Sequence, residues 1–208
     1  MRTILCYGDS NTWGYDPTTG ERFGREERWP GVLARELGDG YAVIEEGLNG
    51  RTTVWEDPID RHRNGREYLV PCLESHAPLD LVVVALGVND LKARLDVSAS
   101  DIADGAGALV ETVQKSATGT DGGAPEVLLL APPSVGDLGD SAEMFEGAPE
   151  KSRGFSKHYG RVAEKYGCGL LDLAGLVSVS EIDGIHFEAS EHEKIGREVR
   201  TRVKDMLR

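Results

Sequence analysis

Cysteine is scarce in this chain of 208 residues. The three cysteines, Cys6, Cys72 and Cys168, are odd in number, lie far apart and form no C-x-x-C pair. Disulfide frameworks and zinc sites need paired or clustered cysteines, so this arrangement argues against both. We therefore expect buried thiols, no metal and a reducing compartment, which predicts a cytoplasmic protein.

Long apolar runs and basic residues are also lacking. No stretch of about 18 apolar residues is present, and Gly8-Asp9 interrupts the first apolar stretch, so we expect neither a membrane span nor a signal peptide. The chain has 23 Lys and Arg against 36 Asp and Glu, a net charge of -13. Because nucleic acids and anionic membranes attract basic surfaces, neither is predicted as a partner.

What the sequence does contain is an alternation of strand-like and helix-like segments. Hydrophobic residues make up 39% of the chain, enough for the core of one domain, predicted to span 1–208. Five short apolar segments are predicted strands: 4–7, 41–44, 81–86, 127–130 and 170–171. Because helical patterns separate them, the chain is predicted to form an α/β fold with a five-stranded parallel sheet and helices on both faces.

Capping residues mark where several of these helices begin or end. Ser98 with Asp101, and Ser190 with Glu193, have the spacing of a capping box and predict two helix starts. Gly167 is placed to end the helix before the fifth strand. The helices are therefore predicted to fill the intervals between the strands.

Four polar clusters follow predicted strands or lie close behind them. They occupy residues 8–11, 47–51, 87–90 and 183–186. In a parallel α/β sheet, ligands bind outside the carboxyl ends of the strands. We therefore expect the four clusters to meet at one edge of the sheet and to form an active site.

The residue types in these clusters suit acyl transfer from an ester. Ser10 lies on a sharp turn after the first strand and is the candidate nucleophile. His186 is the candidate general base, and Asp183, three residues earlier, is placed to orient its imidazole. The Ser10 N–H, the Gly50 N–H and the Asn89 side-chain amide are candidate donors for an oxyanion hole.

With these residues, the chain resembles the SGNH hydrolases, also called GDSL-type esterases. That family has four blocks whose invariant residues are serine, glycine, asparagine and histidine, matched in order by Ser10, Gly50, Asn89 and His186. The chain is also similar to a bacterial arylesterase and acyltransferase subgroup. The matching motifs are G-D-S-x-T-W-G at 8–14, E-E-G-L-x-x-R-T-T at 45–53, P-L-D-L-V at 78–82, L-G-x-N-D at 86–90 and D-G-I-H-F at 183–187.

This resemblance implies a flavodoxin-like three-layer fold, no metal or organic cofactor, and hydrolysis of small, short-acyl esters through an acyl-enzyme. Some relatives also transfer the acyl group to alcohols. Asn11 stands where the family more often has leucine, which implies a change in acyl or leaving-group preference. We predict that Asn11 and Trp13 contact the substrate, although Trp13 could also pack over the first loop.

Other polar residues near the site have structural interpretations. Asp9 is expected to brace the turn, Arg51 to serve the structure of its loop, and Asp90 to cap the following helix. The remaining histidines have no metal-ligand spacing and are expected on the surface: His62, His76, His158 and His192. Cys6, inside the first strand, is expected in the core.

Other functions use the same sheet edge. A flavodoxin-like FMN binder needs a phosphate-binding loop after the first strand, and the charge of Asp9 disfavours a phosphate there. A carbohydrate-binding protein without catalysis would be expected to lack Ser10, Asp183 or His186. Among hydrolases, a carbohydrate O-deacetylase is the main alternative, followed by a lysophospholipase or thioesterase.

The segment 132–154 is long and rich in proline, glycine and serine. Loops of this length are usually functional or disordered. Because Met144 and Phe145 form an apolar pair that solvent disfavours, we expect the segment to fold over the site or against a neighbouring subunit. Relatives in the subgroup form oligomers, so the resemblance also implies self-association.

Overall fold

The computed structural model describes all residues from 1 to 208. At its centre is one sheet of five parallel strands in the order β2-β1-β3-β4-β5. The strands are β1 (Arg2–Gly8), β2 (Tyr41–Gly47), β3 (Leu81–Ala85), β4 (Glu126–Ala131) and β5 (Gly169–Asp172). The predicted five-stranded parallel sheet is confirmed.

Seven α-helices accompany the sheet. They are α1 (Ser10–Trp13), α2 (Trp29–Leu37), α3 (Gly65–His76), α4 (Ala99–Gln114), α5 (Ala148–Ser152), α6 (Phe155–Tyr166) and α7 (Ala189–Met206). The α2 and α7 helices pack together on one face of the sheet, whereas α4 packs against α3 and α6 on the other. The three-layer α/β architecture is therefore confirmed. None of the helices combines the length and apolar character that crossing a membrane requires.

The central strand β3 explains why both faces are covered. Its residues alternate between two buried clusters: Val82 and Val84 face α3, α4 and α6, whereas Leu81 and Val83 face α2 and α7. All four side chains are fully buried. A strand with this pattern has no polar side, so helices on both faces are needed to remove its side chains from water.

Two of the predicted helix boundaries are confirmed by their hydrogen bonds. At the start of α4, the Ser98 hydroxyl accepts from the Asp101 N–H at 3.2 Å, and the Asp101 carboxylate accepts from the Ser98 N–H at 3.4 Å. Helix α6 ends at Gly167, which has a φ of 62° and donates its N–H back to the last turn.

The predicted capping box of the last helix is wrong. Helix α7 begins at Ala189, one residue before Ser190, and no side chain caps it. The carboxylate of Glu193 instead accepts from the Arg35 guanidinium at 2.7 Å. Arg35 belongs to α2, so the Glu193 carboxylate, which a capping box would use within α7, binds a side chain of another helix instead.

The segment 132–154 contains α5 and contacts the rest of the fold. Phe145 is buried in the core cluster that includes residues of α4 and α6, whereas Met144 is 45% exposed. Burial in this protein's own core therefore accounts for Phe145, whereas the Met144 side chain remains partly exposed to solvent. The Gly136 N–H donates to the Gly184 carbonyl at 2.7 Å, which fixes the segment beside the 183–186 loop.

Strand register brings the polar loops to one edge. Gly8 lies opposite Gly47 on β2 and opposite Ala85 on β3. The three strands therefore end at the same level, and the residues that follow them are neighbours. Gly47 is required here because an added Cβ would lie 2.1 Å from the Trp13 backbone nitrogen.

Candidate active site

The turn after β1 presents Ser10 at the first position of α1. Asp9 is the residue before the helix, and its carboxylate accepts from the Asn11 N–H at 2.9 Å. The predicted bracing role of Asp9 is confirmed. Gly8 allows the turn to close, because a Cβ there would lie 2.0 Å from the Thr12 hydroxyl. The Ser10 N–H belongs to the first turn of a helix, where backbone donors have no helical acceptor.

Ser10, His186 and Asp183 form one hydrogen-bonded chain. The Ser10 Oγ lies 2.9 Å from His186 Nε2, and His186 Nδ1 lies 2.6 Å from Asp183 Oδ2. Because a carboxylate next to Nδ1 requires a proton on that nitrogen, Nε2 is left as the acceptor that faces the serine hydroxyl. This arrangement can remove the proton from Ser10.

The loop around Asp183 holds this aspartate as an anion. Its Oδ1 accepts from the Ile185 and His186 N–H groups, each at 2.9 Å. Burial acts to raise the pKa of Asp183, but hydrogen bonds from the His186 ring and from these N–H groups outweigh burial and lower the pKa. Gly184, with a φ of 68°, permits the turn, and a Cβ there would lie 2.3 Å from the Asp137 carbonyl oxygen.

Arg51 ties the other two polar loops to the first. Its guanidinium donates to the Gly8 carbonyl at 2.9 Å and to the Glu46 carbonyl, and its own carbonyl accepts from the Asn89 amide at 3.2 Å. The structural role predicted for Arg51 is confirmed. The Gly50 N–H donates no hydrogen bond within the protein, and the Asn89 amide uses one of its two N–H donors. Donors therefore remain on both loops.

Asp90 does not cap the next helix, and that prediction is wrong. Its carboxylate instead accepts from the Thr53 N–H at 3.0 Å and from the Thr53 hydroxyl at 2.5 Å. No cation contacts it, so burial raises the pKa of Asp90 to about 7; burial likewise raises the pKa of Asp9 to about 6. Asp90 fixes the loop after β2 to the loop after β3, which positions Gly50 relative to Asn89.

Tyr15 is a site neighbour that the sequence analysis did not identify. Its ring lies against the His186 imidazole, with centroids 4.3 Å apart and planes tilted by 34°. The Tyr15 N–H donates to the Ser10 carbonyl at 3.0 Å. The only sequence signal is its position directly after the G-D-S-x-T-W-G motif. Tyr15 covers one face of the imidazole and limits how far the ring can tilt.

A small, mainly apolar slot of about 30 Å³ is lined by Asp9 and Asn11, the neighbours of Ser10 in sequence, but not by Ser10 itself. Asn11 lines the slot together with Val88, Pro132 and Phe187, and its amide donates to the Ile185 carbonyl at 3.3 Å. Trp13 does not line the slot. The Arg22 guanidinium lies 5.1 Å from the centroid of its ring.

His192 is buried, and the prediction that it lies on the surface is wrong. Its Nδ1 accepts from the Trp29 N–H at 3.3 Å, and the Phe23 and Phe187 rings meet it edge to face. Burial lowers the pKa of His192 to about 3, so the ring is neutral at physiological pH. His192 therefore joins α7 to α2 behind the site. Cys6 is buried in the core, as predicted.

Comparison with known proteins finds one family and several similar structures. The model of the GDSL-like lipase/acylhydrolase family matches residues 6–194. Est24, a carbohydrate acetylesterase from Sinorhizobium meliloti, is 39% identical with a TM-score of 0.95, and the match covers 99% of this chain and 100% of Est24. The native aryl esterase of M. smegmatis is 38% identical with a TM-score of 0.94 and the same coverage.

A structure with lower sequence identity is similar to this chain in fold alone. The lipase/acylhydrolase from Enterococcus faecalis is 20% identical with a TM-score of 0.72, over 99% of this chain and 96% of that chain. No curated protein matches the chain in a sequence search. The family match over most of the chain, together with two esterases that align over its whole length, shows that this protein is a serine ester hydrolase of the GDSL-like lipase/acylhydrolase family, as the resemblance predicted.

Proposed function

We propose that Ser10, His186 and Asp183 are the catalytic residues of an esterase for small, short-acyl esters. The observation that carries this proposal is the continuous contact from the Ser10 hydroxyl through both ring nitrogens of His186 to Asp183. As the Ser10 Oγ attacks the ester carbonyl carbon, His186 Nε2 takes its proton. Asp183 holds the imidazole in the required tautomer and stabilises the imidazolium that forms.

The remaining steps follow from the same groups. The tetrahedral intermediate collapses to an acyl-serine when its bond to the leaving alcohol breaks, and His186 returns its proton to the alcohol oxygen. A water molecule then attacks the acyl-serine, with His186 again as base, and releases the carboxylic acid and free Ser10. The substrate ester and water are the only reactants that this sequence requires.

In this proposal the developing oxyanion binds to three donors. They are the N–H groups of Ser10 and Gly50 and the side-chain amide of Asn89, which retain donors after the internal contacts described above. The Gly50 φ of 80° suits glycine, and an added Cβ would approach the Arg63 side chain at 3.4 Å. Donors that are fixed before the reaction stabilise the charge without reorganisation.

The small slot lined by Asn11, the residue after Ser10, supports a preference for short acyl groups. A volume of about 30 Å³ suits an acetyl methyl group and leaves no space for a long chain. Asn11 then contacts the acyl group, and Trp13, which follows on the same turn, contacts the leaving alcohol. The test is kcat/KM for p-nitrophenyl acetate, butyrate and octanoate: a steep fall with chain length supports the proposal, and a flat or rising series contradicts it.

The second candidate is a carbohydrate O-deacetylase. It is supported by the similarity to Est24, a carbohydrate acetylesterase. The two candidates share the catalytic groups and differ in the leaving alcohol. Release of acetate from acetylated sugars, compared with phenyl acetate at equal concentrations, separates them.

Three further properties belong to the proposal. Acyl transfer to alcohols is tested by the ester-to-acid product ratio in water that contains a primary alcohol.

Self-association is supported by the exposed Met144, and light scattering on the wild type and on Met144→Ala tests it. A cytoplasmic location is supported by three free cysteines, and cell fractionation tests it.

A further inference from the structure

A cluster of three metal-binding residue types lies outside the proposed catalytic site. Cys72 and His76 are one turn apart on α3, and Glu46 reaches them from β2. One potential ligand atom from each residue lies within 4.8 Å of the other two. The His76 Nε2 and Glu46 Oε1 are 3.0 Å apart. Sequence spacing gives no sign of this cluster, because Glu46 is brought to α3 only by the fold.

We propose that this cluster is a binding site for a divalent transition metal of intermediate softness, and that Zn²⁺ fits it best. Thiolate, imidazole and carboxylate are the three ligand types that proteins use for zinc. Mg²⁺ and Ca²⁺ prefer oxygen ligands alone, so a thiol and an imidazole disfavour them. Three protein ligands leave the fourth tetrahedral position to water or to an exogenous ligand.

The geometry is close to what tetrahedral coordination needs. Metal–ligand bonds of about 2.0–2.3 Å place ligand atoms about 3.3–3.6 Å apart. The observed separations, from 3.0 Å to no more than 4.8 Å, bracket these values. Side-chain rotations that move the ligand atoms by little more than about 1 Å therefore bring all three atoms to bonding distance of one metal ion. The His76 and Glu46 side chains are 30% and 21% exposed, so they have room for these rotations.

The pattern of β2 explains how Glu46 reaches α3. Glu45 and Glu46 point to opposite faces of the sheet, as neighbouring residues on a strand do. Glu45 pairs with Arg22 and Arg28 on the α2 side, so its charge is already balanced. Glu46 contacts His76 on the α3 side and no arginine or lysine side chain forms a salt bridge with it. Its carboxylate is therefore available as a ligand.

An ion can approach the cluster from the Glu46 side. Glu46 lines a groove of about 450 Å³ together with Arg51, Tyr68 and Pro71, whereas Cys72 and His76 do not line it. Cys72 itself is buried, so a metal would sit between the helix and the strand and clamp α3 to β2.

Cobalt(II) spectroscopy tests the site directly. Titration of chelator-treated protein with Co²⁺ should produce one equivalent of binding and a thiolate-to-cobalt charge-transfer band in the near ultraviolet. Zn²⁺ should displace the cobalt and raise the Tm, whereas Mg²⁺ should do neither. The band should be absent in Cys72→Ser, and His76→Gln and Glu46→Gln should each weaken binding by at least about tenfold.

Matched controls separate this site from other ligands in the chain. Cys168→Ser and His158→Gln should bind as the wild type does, and His186→Ala should retain the band, which excludes the proposed catalytic histidine. If Cys72→Ser does not fold, the partly exposed Glu46→Gln and His76→Gln variants still give the answer. The proposal is overturned by the absence of stoichiometric binding, or by a cobalt band that survives Cys72→Ser or disappears in Cys168→Ser. Esterase activity plays no part in this readout, so it is independent of the proposed function.

Discussion

Two regions of this protein pair a histidine with a carboxylate, and they differ in the third group. At the sheet edge, His186 contacts Asp183 through Nδ1 and Ser10 through Nε2. Beside α3, His76 contacts Glu46 through Nε2, and the third group is the buried Cys72 thiol. The same pair of residue types thus occurs once in line with a hydroxyl and once beside a thiol.

The comparison shows that a histidine and an acid do not by themselves make a catalytic site. The Ser10 hydroxyl lies on a helix start with unpaired N–H donors nearby, where an oxyanion can bind. Cys72 lies inside α3, where backbone N–H groups bond within the helix, and the burial that raises its pKa disfavours a reactive thiolate. The surroundings, and not the pair, separate a nucleophile from a ligand.

Replacement of the third group should have the largest effect. Ser10→Ala is expected to lower kcat by roughly 10⁶-fold, because the attacking atom is lost. Cys72→Ser should retain the activity of the wild type. Steady-state kinetics with p-nitrophenyl acetate measure both, and circular dichroism checks the fold. Activity of Ser10→Ala near that of the wild type would exclude Ser10 as the nucleophile.

Replacement of the carboxylate should have the next largest effect. Asp183→Asn is expected to lower kcat by roughly 10⁴-fold, because an amide no longer holds the imidazole in the tautomer that accepts the serine proton. Glu46→Gln makes the same chemical change at the other histidine and should leave kcat unchanged. Equal losses in the two variants would contradict the assignment of Asp183.

Removal of one oxyanion donor should have a smaller effect. Asn89→Ala is expected to lower kcat by roughly 10²–10³-fold with little change in KM, because the donor acts on charge that forms in the transition state. Kinetics on a single ester provide both constants. A rise in KM at constant kcat would instead indicate a role in substrate binding.

The smallest expected effect is on stability and concerns Asp90, a buried carboxylate that contacts neither a histidine nor a cation. Its pKa is raised to about 7 in the folded protein, against about 3.9 in an unfolded chain. Between these values the folded state binds more protons, so the contribution of Asp90 to stability is present below about pH 4 and is lost as the pH rises toward 7.

Asp90→Asn should remove this loss while it keeps an acceptor for Thr53. Thermal unfolding from pH 4 to pH 8 is the measurement. The wild type should lose more Tm than the variant over this interval, and parallel curves would show that Asp90 does not titrate there. Asp57, paired with Lys92 and Arg94, has a lowered pKa despite burial and serves as the comparison group that stays charged.

Sequence reasoning predicted the sheet, the layers and the convergence of Ser10, His186 and Asp183, because these follow from apolar runs and strand ends. It failed where distant side chains compete for one group. Glu193 binds Arg35 instead of capping α7, and Asp90 binds Thr53 instead of capping a helix. The spacing of residues within one segment cannot predict a partner that comes from another segment.

The same limit applies to residues placed only by tertiary packing. His192 is buried because α7 packs on α2, and Tyr15 meets His186 because a turn closes over the site. Tyr15 carries no periodic signal, whereas His192 is in helical phase with Ile195 and Val199 on the buried face of α7, a signal that its polar ring obscured. The Glu46, Cys72 and His76 cluster is a third case, with a ligand from β2 that lies far from α3 in sequence.

Covalent labelling tests the central claim, that Ser10 attacks the ester with His186 and Asp183 as its activating pair. The protein is treated with a serine-directed fluorophosphonate, and the label is counted by intact mass and located by peptide mapping. The account predicts one label per chain, on Ser10, accompanied by complete loss of activity, and much slower labelling in Asp183→Asn. A label on another serine that abolishes activity, or full activity after Ser10 is labelled, would contradict it.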